Sequence, residues 1–191
     1  MKYKIDISPS KTWKLLDSKV VLDNEWYKIR KDEVQLPNGT IIKDYYVSEL
    51  QNVSMIFAIT QENKVIFVKQ YRHPVKDVLL ELPAGIYSTK ELPIDVAKRE
   101  LLEETGYEAN KLTSLGKIVE YPTKDSHEIN LYLAKDVILT KFSHPEATED
   151  IEVVLIPLTD LLKMIASDQI FVSGTISCII KALLNLKIVT L

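Results

Sequence analysis

Three glutamates crowd one face of a predicted helix in the stretch AKRELLEETGYE, which begins at Ala97. Glu100, Glu103 and Glu104 stand at i, i+3 and i+4, so their side chains share one helical face. Like charges at this spacing destabilise a helix by about 0.2–0.5 kcal/mol per pair. The preceding turn of the same face offers valine and alanine, which supply no compensating cation. The face is therefore either solvated or built to meet a positive charge.

The helix that carries these glutamates has clear ends. Pro93 suits a first helical turn, and Gly106 ends the helix as a left-handed C-cap would. Ile94, Ala97 and Leu101 form an apolar stripe at i, i+3 and i+7. The sequence therefore predicts an amphipathic helix between Pro93 and Gly106 whose apolar side packs on a core.

β-rich segments surround this helix. Strands are predicted at Trp26–Leu36, Thr40–Leu50, Val53–Thr60, Lys64–Gln70, Val78–Leu82, Leu112–Glu120, Glu128–Ala134 and Ile151–Ile156. Pro37-Asn38-Gly39 predicts a hairpin turn, and Pro83-Ala84-Gly85 predicts a turn after the fifth strand. Two helices, about Leu158–Ala166 and Thr175–Leu186, end the chain. This pattern indicates a mixed α+β sandwich, with residues 1–50 as an N-terminal β arm and residues 51–191 as the main domain.

Composition argues against several classes of protein. A chain of 191 residues is of single-domain size, and its net charge of −3 argues against a nucleic-acid-binding surface. The single cysteine, Cys178, cannot form an internal disulfide, which fits a reducing compartment. The N-terminus has no apolar signal-peptide region, and Ile176–Leu191 is too short and too interrupted by lysines to span a membrane. We therefore expect a soluble cytoplasmic protein that binds neither nucleic acid nor membranes.

Seven residues around the acidic helix stand at a recognisable spacing: Gly85, Glu91, Arg99, Glu100, Glu103, Glu104 and Gly106. The stretch that contains them resembles the complete signature of the Nudix hydrolases, which bind divalent metal ions and cleave nucleoside diphosphates linked to another group. The resemblance implies a Nudix-type α/β/α sandwich with a mixed sheet, plus an N-terminal strand-rich arm.

The resemblance assigns metal-binding roles to individual positions. Glu100 and Glu104 match the principal ligands, and Glu103 beside them either ligates the metal or supports the residues that do. Ala84 matches a position that offers its backbone carbonyl. Mg²⁺ is the expected ion, with Mn²⁺ as a substitute, because hard cations prefer oxygen ligands.

The remaining positions of the signature shape the backbone. Glu91 and Arg99 match residues that brace the loop against the helix. Gly85 and Gly106 are expected to provide backbone freedom at its two ends.

The flanking residues resemble the ADP-ribose and nucleotide-sugar pyrophosphatase branch. Arg72 is expected to clamp a phosphate with two hydrogen bonds, and Glu81, Pro122 and Glu128 fall at further substrate positions. The sequence around Pro122 departs from the branch, with tyrosine before it and threonine after it. A GDP- or ADP-linked sugar therefore stays an alternative to ADP-ribose.

Two aromatic residues of the arm, Trp26 and Tyr45, fall in the region that resembles the base-stacking and dimer-forming part of this branch. Packing within a hairpin is an equally good explanation for each of them. If they do stack on a nucleobase, the contact is worth about 1–3 kcal/mol. The resemblance also implies a homodimer.

An acidic loop is expected to complete the site. Glu149 is the better candidate for the general base or a further metal ligand, and Glu146 is its candidate partner, while Glu103 is the third catalytic candidate. The loop Ser143–Asp150 could close over bound substrate. The expected activity is Mg²⁺-dependent hydrolysis of a nucleoside diphosphate sugar to a nucleoside monophosphate and a sugar phosphate. The alternative from another class is a non-catalytic module that binds a nucleotide or ADP-ribose without cleaving it.

Overall fold

The computed structural model describes residues 12–87, 90–140 and 150–189. These residues separate into two compact units. The first unit contains the described chain up to Leu50 together with the segment Tyr121–Ser126. The second unit contains the described residues of 51–120 and 127–191.

The first unit is a three-stranded antiparallel sheet in the order β1-β2-β3, formed by Lys14–Asp23, Lys28–Gln35 and Ile41–Ser48. The predicted hairpin between β2 and β3 is confirmed, and Gly39 adopts a φ of +87° in its turn. Sequence patterning did not find β1, because KLLDSKVVLD lacks a regular alternation of apolar and polar residues. All ten residues of β1 are exposed.

The described residues of the second unit form eight strands and three α-helices. In chain order they are β4 (Asn52–Thr60), β5 (Lys64–Arg72), β6 (Asp77–Glu81), β7 (Ala84–Tyr87), α1 (Pro93–Thr105), β8 (Tyr107–Glu108), β9 (Leu112–Ile118), β10 (Ile129–Leu139), β11 (Ile151–Pro157), a 3₁₀ turn (Leu158–Asp160), α2 (Leu161–Ala166) and α3 (Ser173–Asn185). The described helices include none that combines the length and the apolar character of a membrane span.

The sheet of the second unit is mixed. Its main order is β11-β5-β4-β10-β8, while β6 pairs with β5, β7 with β4 and β9 with β10. β4 and β10 run parallel to each other, and β4 pairs antiparallel with β5 and β7. β4 therefore lies at the centre of the unit, next to the short strand that precedes α1.

The sheet separates two apolar layers, as the alternation along β4 shows. Met55, Phe57 and Ile59 face the cluster that includes residues of α2 and α3, whereas Ile56 and Ala58 face the cluster that includes residues of α1. Phe57 is completely buried, which stabilises the fold by about 1.5–3 kcal/mol relative to an exposed side chain. The predicted α/β/α sandwich with a mixed sheet is confirmed.

The predicted turn at Pro83-Ala84-Gly85 is placed too late in the chain: β6 and β7 run in opposite directions, so the chain turns between Glu81 and Ala84, and Ala84 and Gly85 already belong to β7. Pro83 has no N–H and ends the pairing of this chain with β5, but its carbonyl accepts a hydrogen bond of 3.0 Å from the N–H of Ile56. The chain then continues as β7, in which Ala84 and Gly85 pair with Met55 and Ser54 of β4. Pro83 therefore lies where the chain stops pairing with β5 and begins to pair with β4.

Candidate active site

Helix α1 carries the acidic face and is fixed at both ends. Pro93 occupies its first turn, and Gly106 adopts a left-handed C-cap with φ of +76°, from which its N–H donates to the carbonyl of Leu102. Ala97 and Leu101 are completely buried against the sheet. The predicted helix is confirmed, and its packing holds the glutamates on a rigid element.

The three glutamates of α1 differ in exposure. Glu100 and Glu104 are buried, with 9% and 4% of their surface exposed, whereas 44% of the Glu103 side chain is exposed. Oε2 of Glu104 accepts a hydrogen bond of 3.2 Å from the N–H of Ala84 on β7. Burying carboxylates is unfavourable unless partners compensate them, so both side chains require polar or charged neighbours.

Glu100 lies directly against the backbone of Gly85. A Cβ atom at residue 85 would lie 1.9 Å from Oε1 of Glu100. Gly85 is not among the glycines with positive φ, so the backbone freedom predicted for it is not the reason for glycine here. The reason is space, because β7 can approach the Glu100 carboxylate only where it has no side chain.

Arg99 supplies the cation that the sequence analysis did not find on this face. Its Nη1 lies 2.8 Å from Oε1 of Glu100 and 2.8 Å from Oε2 of Glu103, while its Nη2 lies 3.9 Å from Glu91. Burial lowers the pKa of Arg99, but the hydrogen bond to Glu103 and the charges of Glu100, Glu103 and Glu91 outweigh that effect and raise it. The closest contacts of Arg99 are therefore within the helix, and its contact with the preceding loop is the longest.

The donor atoms of this face suit a hard divalent cation. Glu100 and Glu104 offer buried carboxylate oxygens, and Ala84 lies beside them on β7. In residues 12–87, 90–140 and 150–189, no group of three or more acidic, histidine or cysteine side chains is arranged to hold a metal ion. Glu146 and Glu149 lie outside the described residues. Mg²⁺ commonly takes one or two protein carboxylates and completes its shell with water and substrate phosphates, so the two buried glutamates fit such an ion.

Arg72 lies at the end of β5 and is held by Glu81 of β6. Its Nε and Nη2 donate to the two carboxylate oxygens of Glu81 at 3.0 and 2.7 Å. The Glu81 side chain is 13% exposed, whereas that of Arg72 is 44% exposed. This two-point pairing orients a guanidinium that is accessible to an anion.

The other predicted substrate residues are divided between the two units. Glu128, in the second unit, forms an ion pair with Lys117, and its N–H donates to the side chain of Asn52. Trp26 and Pro122 belong to the first unit. Trp26 is the most exposed large apolar residue of the described chain, at 79%.

Tyr45, also in the first unit, has several contacts. Its hydroxyl donates a hydrogen bond of 2.7 Å to the carbonyl of Thr123. The Nζ of Lys124 lies 5.6 Å from the ring centroid, and the ring of Trp13 meets it edge to face at 5.6 Å.

Two polar contacts that fasten the chain before α1 were missed by the sequence analysis. The completely buried Ser54 donates to the carbonyl of Pro93 at 2.8 Å. The amide of Asn130 donates to the hydroxyl of Tyr87 at 2.7 Å. A signal was present for the first contact, since one serine interrupts the apolar run VSMIFAI of β4. These contacts fix the chain on both sides of the loop that leads into the acidic helix.

Family models match most of the chain. The model described as NUDIX domain matches residues 50–172. The model described as nucleoside diphosphate sugar hydrolase N-terminal domain matches residues 13–48. The two matched segments follow one another with a single residue between them.

Curated relatives and solved structures agree with these matches. An ADP-ribose pyrophosphatase of Bacillus subtilis (strain 168) is 34% identical over 75% of this chain and 78% of its own length. A methanol dehydrogenase activator of Bacillus methanolicus is 36% identical over 85% of this chain and 88% of its own. A GDP-mannose pyrophosphatase of Yersinia enterocolitica is 29% identical over 78% of this chain and 84% of its own. The crystal structure of an ADP compounds hydrolase has the same fold, with a TM-score of 0.82, 21% identity and coverage of 92% of this chain and 94% of that one.

Proposed function

Since this chain belongs to the Nudix hydrolase family, we propose that it uses Glu100 and Glu104 to hold a divalent metal ion and hydrolyses the pyrophosphate bond of a nucleoside diphosphate sugar. The products are a nucleoside monophosphate and a sugar phosphate. The observation that carries this proposal is the burial of two carboxylates of α1 against β7, where residue 85 leaves no room for a Cβ atom. Two buried carboxylates on a rigid helix favour a bound cation, in addition to the contact of Glu100 with Arg99.

Each residue of the site has a part in this reaction. A divalent cation, when bound, supplies Lewis-acid activation of the pyrophosphate and neutralises the charge of the leaving group. Arg72, oriented by Glu81, binds a phosphate oxygen and orients the substrate for in-line attack. Glu149 accepts the proton of the attacking water, with Glu146 as its partner. Glu103 supports Glu100 through their shared contact with Arg99.

ADP-ribose is the first candidate substrate, and Mg²⁺ is the proposed ion. The relative from Bacillus subtilis supports ADP-ribose. A GDP-linked sugar is the second candidate, because a GDP-mannose pyrophosphatase also covers most of this chain. In either case Glu128 of the second unit contacts the sugar or the base.

We also propose a homodimer formed through the first unit. β1 is exposed along its whole length, and all five of its apolar residues are exposed: Leu15 at 57%, Leu16 at 40%, Val20 at 49%, Val21 at 45% and Leu22 at 43%. Exposed apolar side chains of this kind favour association. Among the described residues β1 pairs only with β2, so its other edge offers backbone groups that a partner can cover.

The test is a substrate panel of ADP-ribose, GDP-mannose, ADP-glucose and NADH, with the phosphate monoester product detected through an added phosphatase. We expect turnover of at least one nucleotide sugar, its loss in EDTA and its recovery with Mg²⁺ or Mn²⁺. Full activity in EDTA would refute the metal assignment. Binding of ADP-ribose without turnover of any member of the panel would instead favour a non-catalytic sensor.

A further inference from the structure

The turn residues Leu82 and Pro83 lie directly before Ala84 of the proposed metal site, and each is bound by a different element. The carbonyl of Pro83 accepts a hydrogen bond of 3.0 Å from the N–H of Ile56 on β4. Because proline has no N–H, Leu82 supplies the one backbone donor of this pair. Its N–H donates to Oγ1 of Thr175 on α3 at 3.3 Å. The turn is therefore bound to β4 by one hydrogen bond and to α3 by another.

Both partners of the contact with α3 are shielded from solvent. Thr175 has none of its surface exposed, and Leu82 has only 1% exposed. A buried N–H that loses its acceptor costs about 1–3 kcal/mol. Leu82 also belongs to the apolar cluster that includes residues of α3, so its side chain packs in the same layer as this helix. The hydroxyl of Thr175 is thus the acceptor that satisfies a donor which solvent does not reach.

The first turn of α3 is fixed against the sheet. Its N-cap residue, Val172, forms no side-chain capping hydrogen bond. Glu120, two residues after β9, places a carboxylate there instead and accepts a hydrogen bond of 2.5 Å from the hydroxyl of Ser173, a favourable position for a negative charge. A Cβ atom at Gly174 would lie 2.9 Å from the same Glu120 oxygen and 3.3 Å from Cε of Met55 on β4. This close approach gives the acceptor for the turn before β7 a fixed position.

Ala84 joins the turn to the acidic helix. Its N–H donates to Oε2 of Glu104 at 3.2 Å, and it is the first residue of β7. Since α3 packs on the side of the sheet opposite to α1, the turn is held from behind the sheet and the glutamate from in front of it. Hydrogen bonds at Leu82 and Ala84 therefore connect Thr175 to Glu104 through three residues of backbone.

We propose that Thr175 is a positioning residue, which holds the turn before β7 and thereby keeps Ala84 in place against the carboxylate of Glu104. This inference rests on the proposed function, in which Ala84 and Glu104 hold the metal ion. Thr175 is completely buried and acts through the N–H of Leu82, so it touches neither metal nor substrate. Without its hydroxyl the turn must move to satisfy this N–H, the hydrogen bond from Ala84 to Glu104 loosens, and the site binds metal more weakly.

The experiment compares three variants of α3. Thr175→Val removes the hydroxyl and keeps the branched shape, whereas Thr175→Ser keeps the hydroxyl. Cys178→Ala truncates another completely buried side chain of the same helix and is the control for a general loss of packing. The dissociation constant for Mn²⁺ is measured without nucleotide, from the electron paramagnetic resonance signal of the free ion.

We expect Thr175→Val to raise this dissociation constant about 3- to 10-fold, the effect of one lost neutral hydrogen bond. Thr175→Ser and Cys178→Ala should stay close to the wild type. An unchanged constant in Thr175→Val overturns the role in metal binding. An equal rise in Thr175→Ser or in Cys178→Ala also overturns it, because the hydroxyl is then not the cause.

A second measurement separates this inference from the proposed function. In the metal-free protein, hydrogen exchange at the amide of Ala84 should become faster in Thr175→Val, by more than the change in the free energy of unfolding explains. Exchange at this amide that follows global stability alone, as expected for Cys178→Ala, overturns the positioning role. If the wild type binds no Mn²⁺ and hydrolyses nothing while exchange responds as expected, the proposed function fails and the positioning of Ala84 stands. If Thr175→Val does not fold, Thr175→Ala takes its place under the same criteria.

Discussion

Replacing Gly85 with alanine tests the contact between β7 and the acidic helix. The new Cβ atom would lie 1.9 Å from Oε1, 2.0 Å from Cδ and 2.5 Å from Cγ of Glu100. Non-bonded carbon atoms prefer a separation of about 3.5–4.0 Å, so the Glu100 carboxylate must swing away. Oε1 is also the atom that pairs with Arg99. The substitution therefore displaces a proposed metal ligand and breaks its ion pair together.

The cost can be estimated from overpacking. An extra methyl group in a closely packed site destabilises a protein by about 1–3 kcal/mol. In a Glu100→Ala background the colliding Cγ, Cδ and Oε1 atoms are absent. Since Gly85 does not have a positive φ, alanine should then fit and stabilise the protein by about 0.4–1 kcal/mol through the unfolded chain. The effect of Gly85→Ala should thus reverse its sign between the two backgrounds.

The assay is a double-mutant cycle of the free energy of unfolding, measured with urea in EDTA so that metal binding does not contribute. We expect a coupling free energy of about 1.5–4 kcal/mol between the two positions. In the wild-type background, Gly85→Ala should also lower kcat at least about 10²-fold, because a displaced ligand costs at least as much as a lost supporting contact. Equal destabilisation by Gly85→Ala in both backgrounds would refute the reasoning and place the strain in the pairing of β7 with β4.

Four further predictions concern the site, the core and the assembly. Glu104→Gln should fold normally and lose at least about 10²-fold in kcat, measured as initial rates with Mg²⁺; wild-type rates that still depend on metal would exclude Glu104 as a ligand. Glu149→Gln should lower kcat strongly with little change in KM, and Glu146→Gln should lower it less. If steady-state kinetics show the opposite order, Glu146 and not Glu149 is the general base. Burial raises the pKa of Cys178 to about 12, so a thiol reagent at about pH 8 should label this residue only after denaturation. The same shift should weaken stability as pH rises from about 8.5 towards 12, because the unfolded thiol ionises first; rapid labelling of the native protein would contradict both expectations. Sedimentation at micromolar concentration should show a dimer, whereas a species of 21.8 kDa would contradict it.

The elements with strong local signals were predictable from the sequence. The start and end of α1 depend on Pro93 and Gly106, which act through their own backbone geometry and need no distant partner. The β2–β3 hairpin likewise follows from a short turn with glycine at positive φ. Local signals of this kind can be read from the sequence because they do not depend on distant residues.

The features that depend on distant partners were not predictable. Ala84 and Gly85 form a strand because β4 offers them an edge, and nothing near Pro83 in the sequence shows that edge. The steric reason for Gly85 likewise needs the position of Glu100, which lies 15 residues later in the chain. β1 has no alternating pattern because every one of its residues is exposed in this unit.

Arg99 supplies positive charge to the acidic face of α1. A single guanidinium nitrogen lies 2.8 Å from one oxygen of Glu100 and one oxygen of Glu103, so two of the three acids share one cation. The third acid, Glu104, is more deeply buried and accepts the N–H of Ala84. A divalent cation at Glu100 would share this carboxylate with the Arg99 guanidinium, which limits how tightly the protein alone can hold it. Substrate phosphates offer the further oxygens that Mg²⁺ prefers, and the metal should therefore bind most tightly when the nucleotide sugar is present.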